Sequence, residues 1–275
     1  MVLGPDLVSL GVLVTSVSRD AIDGAVAQYG VGSKRRDGKL PAHVTAYLTM
    51  AMCLFAEDDY EEVALKVTGA LDRFGCWDAA WSAPTSGGIS QARQRLGRHT
   101  LAEVFERVAE PVGAPELPGA WLRNWRVLAI DGFEVDVPDT PANRAEFAYA
   151  GSGANRSAFP KARVVALAEA GTHVFLAAEV DSIAVGEKTL AMRLYPRLRR
   201  NEVLTADRGF YSFDAWARAA GTGAQLLWRA PTQLDLPIVE VLGDGTYTSV
   251  LVNPKIRGAR RRDHQGYRPP HPGVS

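Results

Sequence analysis

Two aspartates in this sequence each follow a short, mainly apolar run. Val127-Leu-Ala-Ile130 ends on Asp131, and Val203-Leu-Thr-Ala206 ends on Asp207. Such runs are typical of buried strands in a parallel sheet, where functional groups lie at the strand ends. If both strands belong to one sheet, the carboxylates can converge, and two converging carboxylates are the minimum needed to hold Mg²⁺. The alternative is that each aspartate merely opens a turn, since Asp-Gly is a common turn pair.

The elements that must position these aspartates alternate between strand and helix. The pattern predicts strands at 125–131, 162–169 and 173–180, a helix at 187–197, a strand at 202–206, a helix at 212–220 and a strand at 224–230. That order is the order of a ribonuclease-H-like α/β domain, whose first and fourth strands lie side by side. We therefore expect the carboxylates of Asp131 and Asp207 within about 4–7 Å of each other, a gap that metal ions can bridge.

The chain is longer than one ordinary domain, so two are expected. Residues 1–115 have helix-period apolar stripes and predict a helical N-terminal domain, which is a candidate for DNA binding. The segment from Pro111 to Pro118 has three prolines and two glycines within or directly next to it. This composition predicts a linker to the α/β domain at 120–252. The remaining residues, 253–275, are rich in Pro, Gly and Arg and predict a disordered basic tail.

The amino-acid composition indicates the cellular compartment but does not identify a binding partner. Lys plus Arg and Asp plus Glu each number 31, so the net charge of zero neither supports nor excludes nucleic acid. Two cysteines, Cys53 and Cys76, are too few for a disulfide framework or a zinc site of their own. The N-terminus has no basic lead of a signal peptide, and the longest apolar stretch, 44–56, is too short to cross a bilayer. We expect a cytoplasmic protein with no membrane partner.

One N-terminal segment has the composition of a DNA-reading helix. Within 88–98, Ile89, Ala92 and Leu96 form the inward face, and no acidic residue interrupts the polar one. The candidate DNA contacts on that polar face are Gln91, Arg93, Gln94, Arg95 and Arg98. Thr85 and Ser86 are candidate caps, so the helix N-terminus could meet a phosphate while Arg and Gln reach base edges. An ordinary solvated helix face explains the same pattern.

Several short motifs, in the same order, resemble the insertion-element-4 family of DDE transposases. In the C-terminal part they are Ile130-Asp-Gly132, Asp139-Thr-Pro-Ala-Asn143, Phe159-Pro160, Gly171-Thr-His173, Ala206-Asp-Arg-Gly-Phe210 and Leu226-Leu-Trp-Arg229. In the N-terminal part they are Leu40-Pro-Ala42, Asp58-Asp-Tyr-Glu-Glu62 and Gln91-Ala-Arg-Gln-Arg-Leu-Gly97. The resemblance covers about residues 10 to 252.

This resemblance implies a function in DNA transposition. It implies DNA cleavage and strand transfer at the ends of a mobile element, with DNA as the partner and two Mg²⁺ ions as cofactors. The first two acidic ligands correspond to Asp131 and Asp207, which are then both the catalytic residues and the metal ligands. Arg208, inside the second aspartate motif, joins the DNA-binding candidates. Contacts with a second copy of the chain or with full-length transposase subunits are also expected.

The sequence departs from the family at the third acidic ligand. The family has a Glu in a Tyr-x-x-Arg-x-x-x-Glu motif beyond the second aspartate, and this sequence has no such motif; its last Glu is Glu240, and Asp263 is the only later acid beyond 252. We therefore predict a truncated copy with an incomplete metal site and little or no activity. The alternative function is a dead DNA-binding or inhibitory remnant. A metal-dependent phosphatase built on Asp131-Gly-Phe-Glu134 is a third interpretation, but it lacks a second Asp at the required spacing.

Overall fold

A computed structural model describes residues 5–31, 40–73 and 84–253 of the chain. The chain divides into two compact units, Met1–Ala109 and Glu110–Ser275. The predicted tail beyond residue 253 and Cys76 lie outside the described residues. In the described part of the chain, no helix is long and apolar enough to cross a membrane.

The described residues of the first unit are helical, as the apolar stripes predict. The helices are α1 (Pro5–Ser16), α2 (Arg19–Tyr29), α3 (Ala42–Leu54), α4 (Tyr60–Arg73) and α5 (Ser86–Val108). Their buried side chains form one core, which includes Ile22, Val44, Leu48, Val67 and Ile89. Ile89 and Leu96, predicted to form the inward face of their helix, both lie in this core.

Helix α5 bends at Gly97. The backbone of Gly97 has φ 73° and ψ 158°, a conformation almost restricted to glycine, so the helical conformation is interrupted there and two helical segments meet at a kink. The sequence of Thr100 to Glu103 looks like a capping box, which would start a new helix at Thr100. The structure differs, since the Thr100 hydroxyl donates a hydrogen bond to the Leu96 carbonyl from within the helix.

The second unit is built on a six-stranded sheet. Its strands are β1 (Trp121–Leu122), β2 (Trp125–Asp136), β3 (Lys161–Glu169), β4 (Phe175–Ser182), β5 (Glu202–Ala206) and β6 (Gln225–Trp228). They lie in the order β4-β3-β2-β5-β6, with β1 also paired to β2. Strands β2, β3 and β4 are antiparallel, whereas β5 is parallel to both β2 and β6.

Helices and a separate hairpin complete this unit. The helices are α6 (Pro141–Glu146), α7 (Glu187–Leu194) and α8 (Phe213–Ala220), and the hairpin pairs β7 (Ile238–Val241) with β8 (Tyr247–Ser249). Helix α7 ends at Leu194, short of the predicted 197, and a 3₁₀ turn follows at Tyr195–Arg197. Pro196 explains the early end, because proline has no N–H to continue the helical ladder.

The mixed α/β architecture agrees with the sequence prediction, and so does the pairing of its central strands. Strand β2 is the first long strand and β5 is the fourth in the predicted order, and they are neighbours. Strand β2 runs to Asp136 rather than to 131, because its second half remains paired with β3. Asp131 therefore ends only the part of β2 that is shared with β5.

The core of the second unit lies on one face of this sheet. Leu128, Ile130, Leu204 and Ala206 point to that face, where the side chains of α7 and α8 cover them. On the opposite face, β-strand alternation places Phe133, Val180 and Leu227, which are all exposed.

A buried carboxylate attaches the start of the second unit to the sheet. Glu169, at the end of β3, has no exposed surface. Its carboxylate accepts hydrogen bonds from the backbone N–H groups of Val112 and Gly113 and from the Thr172 hydroxyl. It also forms an ion pair with Arg126. A Cβ at Gly113 would lie 2.9 Å from this carboxylate, so only glycine fits there.

Candidate functional site

Asp131 and Asp207 stand at equivalent places on two neighbouring strands. The parallel register of β2 and β5 ends with Ile130 beside Ala206, and each aspartate is the next residue. Neighbouring strands are about 4.8 Å apart in a sheet. The backbone thus brings the two positions together, as expected from the repeated strand-then-aspartate pattern.

The two aspartates face solvent. Ile130 and Ala206 belong to the core beneath α7 and α8, so the residues that follow them point away from it. Both aspartates are exposed. One Asp131 oxygen, Oδ1, accepts a hydrogen bond from the backbone N–H of Gly132 at 2.8 Å. The exposure of the Asp131 side chain leaves its other oxygen, Oδ2, accessible to a ligand from solvent.

Local structure fixes the backbone around Asp207. The Thr205 hydroxyl donates to the Leu128 carbonyl at 2.9 Å, which ties β5 to β2 just before the aspartates. After Asp207 the chain forms a 3₁₀ turn, Arg208–Phe210, and the buried Phe210 anchors it in the core. Arg208, a predicted DNA contact, lies exposed at the start of this turn and next to the candidate metal ligand.

A third charged residue lies in the same row. Arg229 is the first residue after β6, and its backbone N–H donates to the Ala206 carbonyl at 3.0 Å. Its Nη1 donates to Oδ1 of Asp207 at 2.9 Å. Sequence reasoning did not name Arg229 as a site residue. The signal was present, because the apolar run Leu226-Leu-Trp228 ends on it as the two earlier runs end on Asp131 and Asp207.

Glu187 approaches β2 from the other side of the sheet. A Cβ built on Gly132 would lie 2.9 Å from the Oε1 of Glu187, so this carboxylate packs directly on the glycine. Gly132 and Asp131 point to opposite faces of β2 because side chains alternate along a strand. Within residues 5–31, 40–73 and 84–253, no three His, Cys, Asp or Glu side chains are grouped closely enough to hold a metal ion.

The segment that follows β2 has its own charged cluster. Arg144 pairs with Asp139, and the Tyr149 hydroxyl donates to Asp139 Oδ1 at 2.6 Å. The hydrogen bonds from Arg144 and then Tyr149 lower the pKa of Asp139 to about 2. The Arg156 guanidinium lies 3.6 Å from the centre of the Tyr149 ring. The negative charge of Asp139 is thus already balanced by Arg144, which makes Asp139 a poor candidate for a metal ligand.

In the first unit, part of the predicted DNA-binding surface has partners inside the protein. Arg93 donates from Nη1 to the Tyr60 hydroxyl at 3.0 Å and is only half-exposed. The N-terminus of α5 differs from the expectation of a phosphate site. Thr85 accepts from the Gly88 N–H, as its capping prediction requires, but Glu61 accepts from both the N–H and the hydroxyl of Ser86.

The other predicted contacts on α5 lie at the surface. Gln91, Gln94, Arg95 and Arg98 are all exposed. An acid already at the helix end repels a phosphate, whereas these four side chains remain accessible. A DNA interface on this helix would therefore involve its flank rather than its N-terminus.

The donor set at the strand ends suits a hard divalent cation. Carboxylate oxygens are the ligands that Mg²⁺ prefers, and it is usually bound through one or two carboxylates and several waters. Asp131 and Asp207 are both exposed, although the guanidinium of Arg229 occupies one oxygen, Oδ1, of Asp207. The residues present fit Mg²⁺ or Mn²⁺, with two protein carboxylates as anchors.

Comparisons with known proteins find similar transposases. Residues 7–106 match the model of the insertion element 4 transposase N-terminal domain. The chain is 27% identical over 233 residues to the transposase InsG for insertion sequence element IS4 of Escherichia coli K12, covering 83% of this chain and 50% of that protein. It is 30% identical over 145 residues to the putative transposase InsZ of the same strain, covering 52% of this chain and 48% of that protein.

The chain spans about half the length of the curated relatives it matches. The matches confirm the resemblance stated from the sequence motifs. The chain is therefore related to the insertion-element-4 transposases, whose N-terminal family domain it contains at residues 7–106.

Proposed function

We propose that this chain is a DNA transposase whose metal site, at Asp131 and Asp207, lacks the third carboxylate of the insertion-element-4 family, so that it cleaves DNA weakly or not at all. The observation that carries the proposal is the shared register of the two aspartates at the ends of adjacent parallel strands. The proposal is supported further by the relationship to transposases. The pairing of the first and fourth strands also supports a ribonuclease-H-like catalytic fold for the second unit.

The proposed substrate is the DNA at the ends of a mobile element. Asp131 and Asp207 would hold Mg²⁺, which supplies activation of a water or a 3′ hydroxyl and stabilisation of the leaving oxygen. The buried side chains of Ile130 and Ala206 anchor the backbone directly before each aspartate. The two carboxylates therefore project from a well-fixed part of the sheet. Arg208 and the exposed arginines of α5 would neutralise phosphates.

A second candidate function is DNA binding without cleavage, by a chain that inhibits active transposases or joins their subunits. This alternative is favoured by the two-carboxylate site, since no group of three ligands occurs in the part of the chain that the structure describes. Each carboxylate matters, because Mg²⁺ is held through few protein ligands. Truncation of the gene stays a prediction, tested by looking downstream in the other two reading frames for a Tyr-x-x-Arg-x-x-x-Glu motif.

The metal site can be tested independently of activity. Fe²⁺ bound in place of Mg²⁺ should, with ascorbate and peroxide, cut the polypeptide near the residues that hold it. We expect fragments from cuts near 131 and 207, which excess Mg²⁺ suppresses. Asp131→Asn should abolish both cuts, while Asp136→Asn, which removes an exposed acid further along β2, should leave them unchanged. Cuts elsewhere, or cuts that survive Asp131→Asn, would exclude the proposed site.

A further inference from the structure

Three charged residues form a row across three neighbouring strands. Ile130 pairs with Ala206, and Ala206 pairs with Trp228, so the residues that follow them lie side by side. These residues are Asp131, Asp207 and Arg229, in that order across the sheet. A cation is therefore built into the row beside the two carboxylates.

The base of Arg229 is fixed while its guanidinium is free to move. Its backbone N–H is bonded to Ala206, and the preceding Trp228 packs against the rings of Tyr195 and Trp216. The side chain itself is 74% exposed, and that of its partner Asp207 is 55% exposed. Ion pairs this exposed are weak and screened, so the guanidinium can leave Asp207 at little cost.

The position of the guanidinium conflicts with a metal ion at Asp207. Its Nη1 donates to Oδ1 at 2.9 Å and so occupies a position next to that oxygen where a metal ion would otherwise bind. A divalent ion held between Asp131 and Asp207 would meet a second positive charge a few ångströms away, and like charges at that distance repel. Ion binding and the Arg229–Asp207 contact therefore oppose each other.

We propose that Arg229 is a positioning residue that stands in for the divalent cation at Asp207 and is displaced when the cation binds. This inference rests on the proposed metal site. Arg229 neutralises Asp207 in the metal-free protein and so prevents repulsion between the two adjacent carboxylates. Its presence also lowers the affinity of the site for the ion, so the site binds a divalent cation only when the guanidinium swings away.

The test is a Mn²⁺ titration of the full 275-residue chain, with free Mn²⁺ followed by electron paramagnetic resonance. Arg229→Gln should bind Mn²⁺ about tenfold more tightly than the original chain, because a repelling charge is removed. Arg229→Lys, which keeps the charge, should bind nearly as the original chain does. The matched control is Arg218→Gln, which removes an exposed arginine from the last turn of α8 and should change nothing.

A double substitution shows whether the effect passes through Asp207. Asp207→Asn should weaken Mn²⁺ binding, and Arg229→Gln added to it should give no further gain. Equal affinities of Arg229→Gln and the original chain, or an equal gain from Arg218→Gln, would overturn the inference. If neither the original chain nor Arg229→Gln binds Mn²⁺, the proposed metal site itself fails.

A measurement on the unsubstituted chain covers the case in which Arg229→Gln does not fold. The side-chain Nε–Hε resonance of Arg229 is assigned by its absence from the spectrum of Arg229→Lys. Adding Mg²⁺ should shift this resonance towards the position it has in Asp207→Asn without metal. A resonance that stays in place while Mg²⁺ binds would show that the guanidinium is not displaced, and the inference would be wrong.

Discussion

Asp131 and Asp207 each stand one residue beyond the paired residues Ile130 and Ala206, which close the parallel register of β2 with β5. The pairing makes the site depend on both strands equally. It brings two carboxylates together, and no group of three His, Cys, Asp or Glu side chains that could hold a metal ion occurs among the residues that the structure describes.

Purified chain, incubated with element-end DNA and Mg²⁺ or Mn²⁺, should show no nicking above that of Asp131→Ala. The reason is that the proposed site has only two carboxylates among the described residues to anchor the metal ions. Nicking is measured on end-labelled duplex by denaturing electrophoresis. Metal-dependent nicking that Asp131→Ala abolishes would instead mean that another acid completes the site. Glu240, exposed on β7, would be the first to substitute; Asp263, the later acid, lies outside the described residues.

DNA binding should be salt-dependent in spite of the zero net charge. Replacing Arg93, Arg95 and Arg98 by Ala together should weaken binding and reduce the salt dependence, by about 1 in the logarithmic slope for each phosphate that the protein no longer neutralises. Arg93 also donates a hydrogen bond to the Tyr60 hydroxyl. Tyr60→Phe removes only this acceptor and therefore shows how much of the loss of binding comes from breaking that hydrogen bond. Gel-shift titrations at several salt concentrations give the slopes. Unchanged affinity in the triple variant would identify α5 as an ordinary solvated helix.

Gly97→Ala should destabilise the first unit by about 1–3 kcal/mol, since a Cβ is strained in this backbone conformation. No atom lies within 4 Å of the position that the alanine Cβ would take, so the cost is conformational and not a clash. Gly69→Ala is the matched control within α4, also with nothing within 4 Å, and should stabilise by about 0.5–1 kcal/mol. Urea unfolding followed by circular dichroism measures both. A neutral Gly97→Ala would show that the bend is not imposed by the glycine.

Glu169→Ala should destabilise the second unit by about 3–5 kcal/mol, because it leaves Arg126 and two backbone N–H groups without their buried acceptor. Glu169→Gln should cost less, since its amide oxygen still accepts hydrogen bonds. The measurement is the free energy of unfolding from chemical denaturation. As a control, Asp23→Ala breaks an exposed pair with Arg19 and should change stability little. Equal effects of Glu169→Ala and Asp23→Ala would contradict the anchoring role.

The Asp139 carboxyl should titrate with a pKa of about 2, well below an ordinary aspartate at 3.8. Its folded pKa is depressed, so its contribution to stability is present above the unfolded pKa and is lost as the pH falls from about 4 towards 2. Arg144→Gln should raise the pKa more than Tyr149→Phe, because the hydrogen bond from Arg144 is the larger cause. Carbon-detected NMR of the Asp139 carboxyl gives each midpoint. An Asp139 pKa unchanged by Arg144→Gln would contradict this account.

Local patterns predicted the elements well where an apolar period and a boundary residue agreed. The strand ending at Ala206 is found as predicted, and the pairing of β2 with β5 followed from the order of elements. Strand β2 was predicted too short, because the polar residues Asp131 and Glu134 interrupt its apolar run. Its continuation depends on β3, which no local pattern contains.

Side-chain partners were the least predictable part of the site. Three of these contacts join residues that are far apart in sequence. They are the contacts of Glu61 with the N-terminus of α5, of Tyr60 with Arg93, and of Arg229 with Asp207. Composition indicated an uninterrupted basic helix face, but the acid that meets its N-terminus comes from another helix. The Thr100 prediction failed for a related reason, since a glycine bend resembles a helix end in sequence.

The bond from Thr205 to the Leu128 carbonyl spans 77 residues of chain. During synthesis the antiparallel strands β2, β3 and β4 can pair as they emerge, because each is next to its predecessor in sequence. The parallel contact must wait, since closing a long loop carries an entropy cost that local pairing does not. We therefore expect Asp131 to be, for a time, an isolated surface acid on a partly formed sheet. It gains its partner only when β5 docks, so the capacity to bind metal would arise among the last events of folding.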